Sequence, residues 1–124
     1  MGMFKKKVRV SSINDNSKYF EADFWVDTGA LYSLIPNDFL ESIGFEPEAT
    51  KNILLADGRT DRKLFGHCRF EIEGIDEKLL CPVIAGSNDS IFLLGATALE
   101  NFAVEVDTVT KTLHPILAII AGFH

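Results

Sequence analysis

The sequence predicts an all-β domain, a small barrel or sandwich with one or two short helices. Short runs rich in β-branched and aromatic residues recur along the chain. Turn signals separate these runs, and Asn14-Asp15-Asn16 and Asp57-Gly58 are the clearest of them. The pattern contains neither a long helical period nor an internal repeat. A chain of 124 residues fits one domain, so residues 1–124 are predicted to fold as a single unit.

Nine segments of the chain read as strands. In chain order they are residues 4–11, 19–26, 33–35, 53–56, 64–72, 78–85, 91–94, 103–106 and 112–116. Side chains alternate between the two faces of a strand, so Val8 and Val10 should point into the core while Lys7 and Arg9 point outward. Many short strands with little helix are typical of a β-barrel or a sandwich.

Two short helices are predicted between these strands. The first follows Pro36, where Asn37 or Asp38 can cap the helix start and Gly44 can end it after Ile43. The second covers residues 96–100, directly after a glycine.

Charge and composition exclude several classes of protein. The net charge of −6 argues against nucleic acid as a partner. The longest apolar stretch, Ile116 to Phe123, falls short of the roughly 20 residues that a membrane helix needs. Cys68 and Cys81 are too few for a disulfide framework and should be buried or half-buried on neighbouring strands. No leader sequence is recognised, so a cytoplasmic location is expected.

One segment combines a buried strand with a chemically active side chain. Phe24-Trp25-Val26 leads directly into Asp27-Thr28-Gly29. A carboxylate at the end of a buried strand is costly unless it is hydrogen-bonded or paired. Glycine at position 29 would let the backbone turn tightly, so that its N–H reaches this carboxylate. The alternative is an ordinary turn at a strand end, where Asp and Gly are common.

A second segment, Phe92-Leu93-Leu94-Gly95, alone predicts only a buried strand that stops at a glycine. In this order, however, Asp27-Thr28-Gly29-Ala30 and Leu93-Leu94-Gly95 resemble the two motifs of the retropepsin-like aspartic proteases. The resemblance extends from about Tyr19 to Ile116. Ser33-Leu34-Ile35-Pro36 and the segment 104–113 look like the cellular or microbial single-domain members more than the viral ones.

The resemblance implies a fold, an activity and a set of residues. The fold is a small closed barrel, and each chain is a half-site subunit of a homodimeric endopeptidase. Asp27 from both subunits carries the reaction, Thr28 bonds across the twofold axis, and Gly29 helps to hold the carboxylates coplanar. Leu55 to Arg59 look like the flap hairpin. Contacts to the substrate are therefore expected from Ala30 and from the flap residues Ala56, Asp57 and Gly58.

Two departures from the viral pattern concern substrate preference. The flap lacks a glycine-rich tip, and Leu31-Tyr32 replaces acidic residues that are common in the viral enzymes.

The chemistry itself also requires a partner subunit. Aspartic protease catalysis needs two carboxylates that share one proton, and the chain has a single Asp-Thr-Gly. Asp107-Thr108 is followed by Val109, which lacks the conformational freedom of glycine. A homodimer that cleaves peptide or protein substrates is therefore predicted, with no metal and no organic cofactor. The alternative is a non-catalytic peptide-binding or dimerisation module on the same fold.

Other chemical sites have little support in the sequence. His67, His114 and His124 have no metal-ligand spacing, and no signature of a cysteine nucleophile surrounds Cys68 or Cys81. The apolar tail, Ile116 to Ile120, would fit an intersubunit sheet, so removing the residues after Pro115 should give an inactive monomer. A plain core strand is the alternative for this tail.

Overall fold

The computed structural model describes residues 3–117, which form nine strands and two helices. The strands are β1 (Lys5–Ser11), β2 (Tyr19–Val26), β3 (Ser33–Pro36), β4 (Ala49–Leu54), β5 (Thr60–Ile72), β6 (Lys78–Gly86), β7 (Leu93–Leu94), β8 (Val104–Asp107) and β9 (Thr112–Pro115). The helices, α1 (Asn37–Ser42) and α2 (Ala96–Asn101), have six residues each. Within residues 3–117, no helix is long and apolar enough to cross a membrane. The all-β prediction with two short helices is confirmed.

Seven strands form one sheet in the order β1-β2-β7-β3-β6-β5-β4, and β8 and β9 form a separate hairpin. β1 also pairs with β5, from Val8 opposite Ile72 to Ser11 opposite Arg69. This additional pairing closes a hydrogen-bonded ring of six strands, in the order β1, β2, β7, β3, β6 and β5. β4 lies outside the ring and pairs with β5. Such a ring is the architecture of a small barrel rather than of a sandwich.

The core lies inside this ring. Val8 and Val10 are fully buried on one face of β1, while Lys7 is exposed on the other, as the alternation predicts. Phe24 of β2 and Phe70 of β5 are also fully buried, and their ring centroids lie 6.0 Å apart. Burying a side chain of this size stabilises the fold by about 1.5–3 kcal/mol. The strand that leads to Asp27 is thus anchored in the core.

The predicted side-chain cap of α1 is wrong. Pro36 is the residue before the helix, and neither Asn37 nor Asp38 caps the helix start with its side chain. Instead, the backbone N–H of Asp38 donates to Oδ1 of Asn88, 3.0 Å away in the loop after β6. β3 runs directly into α1, so a side chain from a distant loop satisfies this amide. Gly44 ends the helix as predicted, with φ +74°.

The β4–β5 hairpin is longer than the sequence predicts. β4 begins at Ala49 rather than at 53, and β5 begins at Thr60 rather than at 64. These added residues are mostly polar, so the hydrophobic pattern missed them, but a continuous ladder from Ala49 opposite Phe65 to Leu54 opposite Thr60 holds them. The predicted turn is present, and Gly58 adopts φ +88° within it. The strand predicted at residues 91–94 is shorter in the structure, where it covers only Leu93–Leu94.

Cys68 and Cys81 lie directly opposite each other on β5 and β6, where both are buried free thiols. Their predicted burial on neighbouring strands is confirmed. Burial raises the pKa of Cys68 to about 12 and that of Cys81 to about 11. Both thiols are therefore protonated near neutral pH, which does not suit a nucleophile.

Candidate active site

Asp27 follows the last residue of β2, where the two sequence motifs meet. β2 and β7 run parallel, with Trp25 opposite Leu93 and Val26 opposite Leu94. The backbone N–H of Trp25 donates to the carbonyl of Phe92 (2.9 Å), and that of Asp27 donates to the carbonyl of Leu94 (3.0 Å). This pairing brings together two segments that are far apart in the chain.

The carboxylate of Asp27 is half-buried and held by its own loop. Its Oδ1 accepts a hydrogen bond from the backbone N–H of Gly29 at 2.9 Å, which is the contact that the sequence predicts. A Cβ atom at position 29 would lie 3.2 Å from this oxygen, tighter than an ordinary contact. Glycine at position 29 therefore permits the close approach of the backbone to the Asp27 carboxylate. Thr28 is exposed, and its hydroxyl makes no hydrogen bond to any residue between 3 and 117.

The start of α2 holds the loop that carries Asp27. The carbonyl of Ala30 accepts the N–H of Ala96 at 2.7 Å. The carbonyl of Leu31 accepts both the N–H of Thr97, at 3.0 Å, and its hydroxyl, at 2.8 Å. These three bonds tie the loop to the segment after β7, so its path depends on both motifs.

Ser33 and Gly95 form a buried contact beneath the loop. The hydroxyl of Ser33, at the start of β3, accepts the backbone N–H of Gly95 at 3.0 Å, and Ser33 is fully buried. A Cβ atom at position 95 would lie 2.5 Å from the carbonyl carbon and oxygen of Tyr32. The second motif thus ends in glycine because the backbone of the first loop packs directly against it.

Sequence reasoning did not identify Ser33 and Thr97 as residues that support the site. Both are polar residues next to apolar segments, Ser33 before Leu34-Ile35 and Thr97 within the first turn of α2. A serine at the head of an apolar strand is a local signal for such a role, because a polar side chain that is buried with the strand needs a hydrogen-bond partner.

The predicted flap residues lie at the exposed tip of the β4–β5 hairpin. Ala56 and Gly58 are exposed, and the carboxylate of Asp57 accepts the backbone N–H of Arg59 (3.0 Å) and its Nε (2.7 Å). The backbone N–H and then the guanidinium of Arg59 hold the pKa of Asp57 below its ordinary value. In the described residues, no hydrogen bond links this tip to the Asp27 loop.

The base of the same hairpin does reach the loop. The ring of Phe65 on β5 meets the ring of Tyr32 edge-on, with centroids 5.2 Å apart. The structure therefore brings Asp27, Thr28 and Gly29 together with Ala30, and it places the predicted flap residues in a separate element connected through its base.

The comparison with protein families identifies the family of this chain. A family model described as "gag-polyprotein putative aspartyl protease" matches residues 11–101. The chain belongs to this family. The matched range includes both Asp27 and Gly95, so the predicted relationship to the retropepsin-like aspartic proteases is confirmed. Among proteins with curated descriptions, none matches this sequence significantly.

Solved structures of aspartic proteases share the fold. The EIAV protease complexed with the inhibitor HBY-793 has a TM-score of 0.57 and 15% identity, covering 84% of this chain and 91% of that one. A retropepsin-like aspartic protease from Rickettsia conorii has a TM-score of 0.56 and 23% identity, covering 90% and 88%. The foamy viral protease-reverse transcriptase, bound to an RNA/DNA hybrid, has a TM-score of 0.56 and 17% identity over 92% of this chain. This chain spans only 13% of the foamy viral one.

Two surface hollows lie away from the aspartic protease motif. One, of about 460 Å³, is next to residues 12–16 and Arg69, and the other, of about 330 Å³, lies between Glu21 and Glu71. In residues 3–117, no three His, Cys, Asp or Glu side chains are grouped as metal ligands would be. His67 and His114 instead face single carboxylates, those of Glu48 (2.8 Å) and Asp107 (3.4 Å).

Proposed function

We propose that this chain is an aspartic endopeptidase that acts as a homodimer, in which Asp27 and its symmetry copy activate a water molecule. The observation that carries the proposal is the position of the Asp27 carboxylate. It stands where the Asp-Thr-Gly loop meets the end of β7, half-buried, with one oxygen held by Gly29. Membership of an aspartyl protease family supports the same activity.

Two such carboxylates within hydrogen-bonding reach would share one proton, because two adjacent negative charges repel each other. The unprotonated carboxylate takes a proton from water, and the protonated one donates a hydrogen bond to the oxygen of the scissile carbonyl. The pair titrates as one unit, so its pKa values belong to both side chains together.

The second carboxylate must come from another subunit. The other Asp-Thr pair, Asp107-Thr108, lies at the end of β8, and Oδ1 of Asp107 accepts the backbone N–H of Val109 (2.9 Å) and of Thr110 (3.1 Å). That carboxylate is engaged in its own turn. A twofold axis beside Asp27 would supply the missing group, as in isologous dimers. The hydroxyl of Thr28, which has no hydrogen-bond partner among residues 3–117, suits a bond across such an axis.

The substrate would be an extended peptide or protein segment with apolar residues near the cut. Extended peptides bind β-rich clefts through backbone hydrogen bonds. Leu31, beside the Asp27 loop, is 61% exposed and offers an apolar contact. Closure of the flap, with Ala56, Asp57 and Gly58 at its tip, would exclude water and position the peptide next to Ala30.

Replacing the carboxylate tests this function. Asp27→Asn should abolish cleavage of a mixed peptide library between mildly acidic and neutral pH, because an amide cannot act as the general base. The dimer should persist by analytical ultracentrifugation, since the substitution preserves the size of the side chain. Asp107→Asn is the matched control. It alters the other Asp-Thr pair, whose side-chain oxygen can still accept the two turn amides, so cleavage should continue.

The outcomes separate the possible functions. Cleavage by wild type in the presence of a chelator, and its loss in Asp27→Asn, would support the proposal. Peptide binding by wild type without any cleavage would favour the non-catalytic binding module instead. Undiminished cleavage by Asp27→Asn would reject Asp27 as the reactive group.

A cytoplasmic location, and the lack of nucleic-acid and membrane partners, stay predictions. The acidic composition supports the lack of a nucleic-acid partner, and the short apolar stretches support the lack of a membrane partner. The proposed reaction depends on none of these three predictions.

A further inference from the structure

Lys51 of β4 holds a positive charge beside the candidate active site. Its Nζ lies 4.6 Å from the centroid of the Phe65 ring and 5.6 Å from that of Tyr32. Tyr32 belongs to the loop that follows Asp27, and its backbone packs against Gly95. A lysine over two aromatic rings is attracted by their π-electrons, which fixes the position of the ammonium group.

The charges that share this face of the hairpin, and those at its tip, are already paired, while Arg62 lies on the opposite face and donates to the hydroxyl of Thr50. Lys63 lies directly opposite Lys51 in the β4–β5 ladder, and its Nζ is 3.3 Å from the carboxylate of Asp61. At the tip, Arg59 pairs with Asp57 at 2.7 Å. Two lysines opposite each other on one face of a sheet repel one another, and Asp61 offsets only one of them.

The nearest acidic residue along the chain is also engaged. Glu48, just before β4, has its carboxylate 2.8 Å from Nδ1 of His67. Within the described range 3–117, Lys51 forms no ion pair. Its face of the hairpin therefore presents an ammonium group that has no ion-pair partner among these residues next to the Asp27 loop, in a chain whose net charge is −6.

We propose that Lys51 is a specificity-determining residue that binds an acidic side chain of the peptide substrate. This inference rests on the proposed function and defines its substrate class more narrowly. The rings of Tyr32 and Phe65 hold the ammonium in place, and the N–H donors that point away from the rings can bind a carboxylate. In a twofold dimer each half of the bound peptide meets one Lys51, so an acidic preference should occur on both sides of the cleaved bond.

Peptide sets that differ at one position test the proposal. In each set, one position on either side of the cut is Glu, Gln or Lys, and kcat/KM is measured for every peptide. Wild type should cleave the best-placed Glu peptide about fivefold faster than its Gln counterpart, as a half-buried ion pair worth about 1 kcal/mol would give. This preference should weaken as salt is added, because ions screen the attraction.

Variants of Lys51 assign the effect to this side chain. Lys51→Met keeps an apolar stem against the rings but removes the charge, so the Glu and Gln peptides should be cleaved equally. Lys51→Arg keeps the charge over the rings and should retain the preference. Lys78→Met is the matched control, since it removes one lysine from β6, where Lys78 faces Glu71, and should leave the preference unchanged.

The results distinguish this inference from the proposed function. Cleavage by wild type without discrimination between Glu and Gln would overturn the role of Lys51 and leave the peptidase standing. A preference that persists in Lys51→Met would overturn it as well. If wild type cleaves no peptide at any pH, the proposed function fails and this inference fails with it. If Lys51→Met does not fold, two measurements still test the role of Lys51. Loss of the preference for Glu over Gln in Lys51→Arg, or a wild-type preference that does not change with salt, would overturn it.

Discussion

Ser33 shows how one side chain can link two distant motifs. It heads β3, and its hydroxyl accepts the N–H of Gly95 in a position without solvent access. A buried amide that loses its partner costs more than the hydrogen bond itself contributes, because water cannot replace the acceptor. The contact beneath the Asp27 loop thus depends on a single oxygen atom.

Ser33→Ala should therefore destabilise the protein by about 1–3 kcal/mol, since the buried N–H of Gly95 would be left without an acceptor. Urea denaturation at one protein concentration measures the difference. Ser42→Ala is the control, because the exposed hydroxyl of Ser42 bonds only the carbonyl of Phe39, and its loss should change stability by less than about 0.5 kcal/mol. Equal stability of the two variants would contradict the role of Ser33.

Among the elements, the β4–β5 hairpin is stabilised differently from the core strands. Its outer part carries polar and charged residues, and the cross-strand ladder and the turn at its tip determine its shape. In that turn the N–H of Leu55 donates to the carbonyl of Arg59 at 2.7 Å, and the carboxylate of Asp57 accepts two bonds from Arg59. An element with few buried contacts opens more easily than the core, which suits a flap.

The order of the tip should depend on pH through Asp57. Its pKa in the folded chain is lower than its ordinary value of 3.8, so the charged carboxylate stabilises the turn fully above that value. This contribution is lost as the pH falls through the lowered pKa. In Asp57→Ala, the amides of Leu55 and Gly58 should exchange hydrogen a few-fold faster than in wild type near neutral pH, and the difference should vanish in strong acid.

Asp76→Ala, in the turn between β5 and β6, should leave the exchange of these two amides unchanged. Hydrogen exchange followed by mass spectrometry or NMR provides the readout. If Asp57→Ala and wild type differ equally at all pH values, the turn does not depend on the charged carboxylate.

For the whole molecule, the proposed reaction requires a second subunit, because one chain would supply only one of the two carboxylates. The end of the chain is the predicted contributor to dimer formation. Ile116 donates its N–H to the carbonyl of Ala103 at 2.7 Å, and the side chains of Ile116 and Leu117 are 47% and 90% exposed. The rest of the predicted tail pairing, at residues 118–120, lies outside the described residues.

A chain that stops after Ile116 should be monomeric and inactive, because it keeps the bond to Ala103 but loses the apolar segment predicted to pair between subunits. Analytical ultracentrifugation and peptide cleavage, measured at concentrations where the full chain is dimeric, test this. A chain that lacks only Phe123 and His124 serves as the control and should keep both properties. A fully active dimer of the shorter chain would exclude the tail from the interface.

The sequence by itself determined the fold class, the family and the candidate reactive side chain. Strand alternation located β1 because burial on one face leaves a period of two, as at Val8 and Val10. Asp27 was a candidate because a carboxylate that follows three apolar residues needs a partner, and the second motif, Leu93-Leu94-Gly95, then made the resemblance to aspartic proteases recognisable. Gly29 was recognisable for its proximity to that carboxylate, which is a local property of three residues.

Only the tertiary structure decided what lies next to these residues. Asn88 satisfies the first turn of α1, Ser33 satisfies Gly95, and Lys51 stands over Tyr32. Each of these contacts joins segments that are distant in the chain, and none changes the local pattern of hydrophobic and polar residues. Local sequence determines which backbone forms a strand or a turn, whereas contacts between strands arise from the closing of the sheet, which brings together side chains whose separation in the sequence carries no signal.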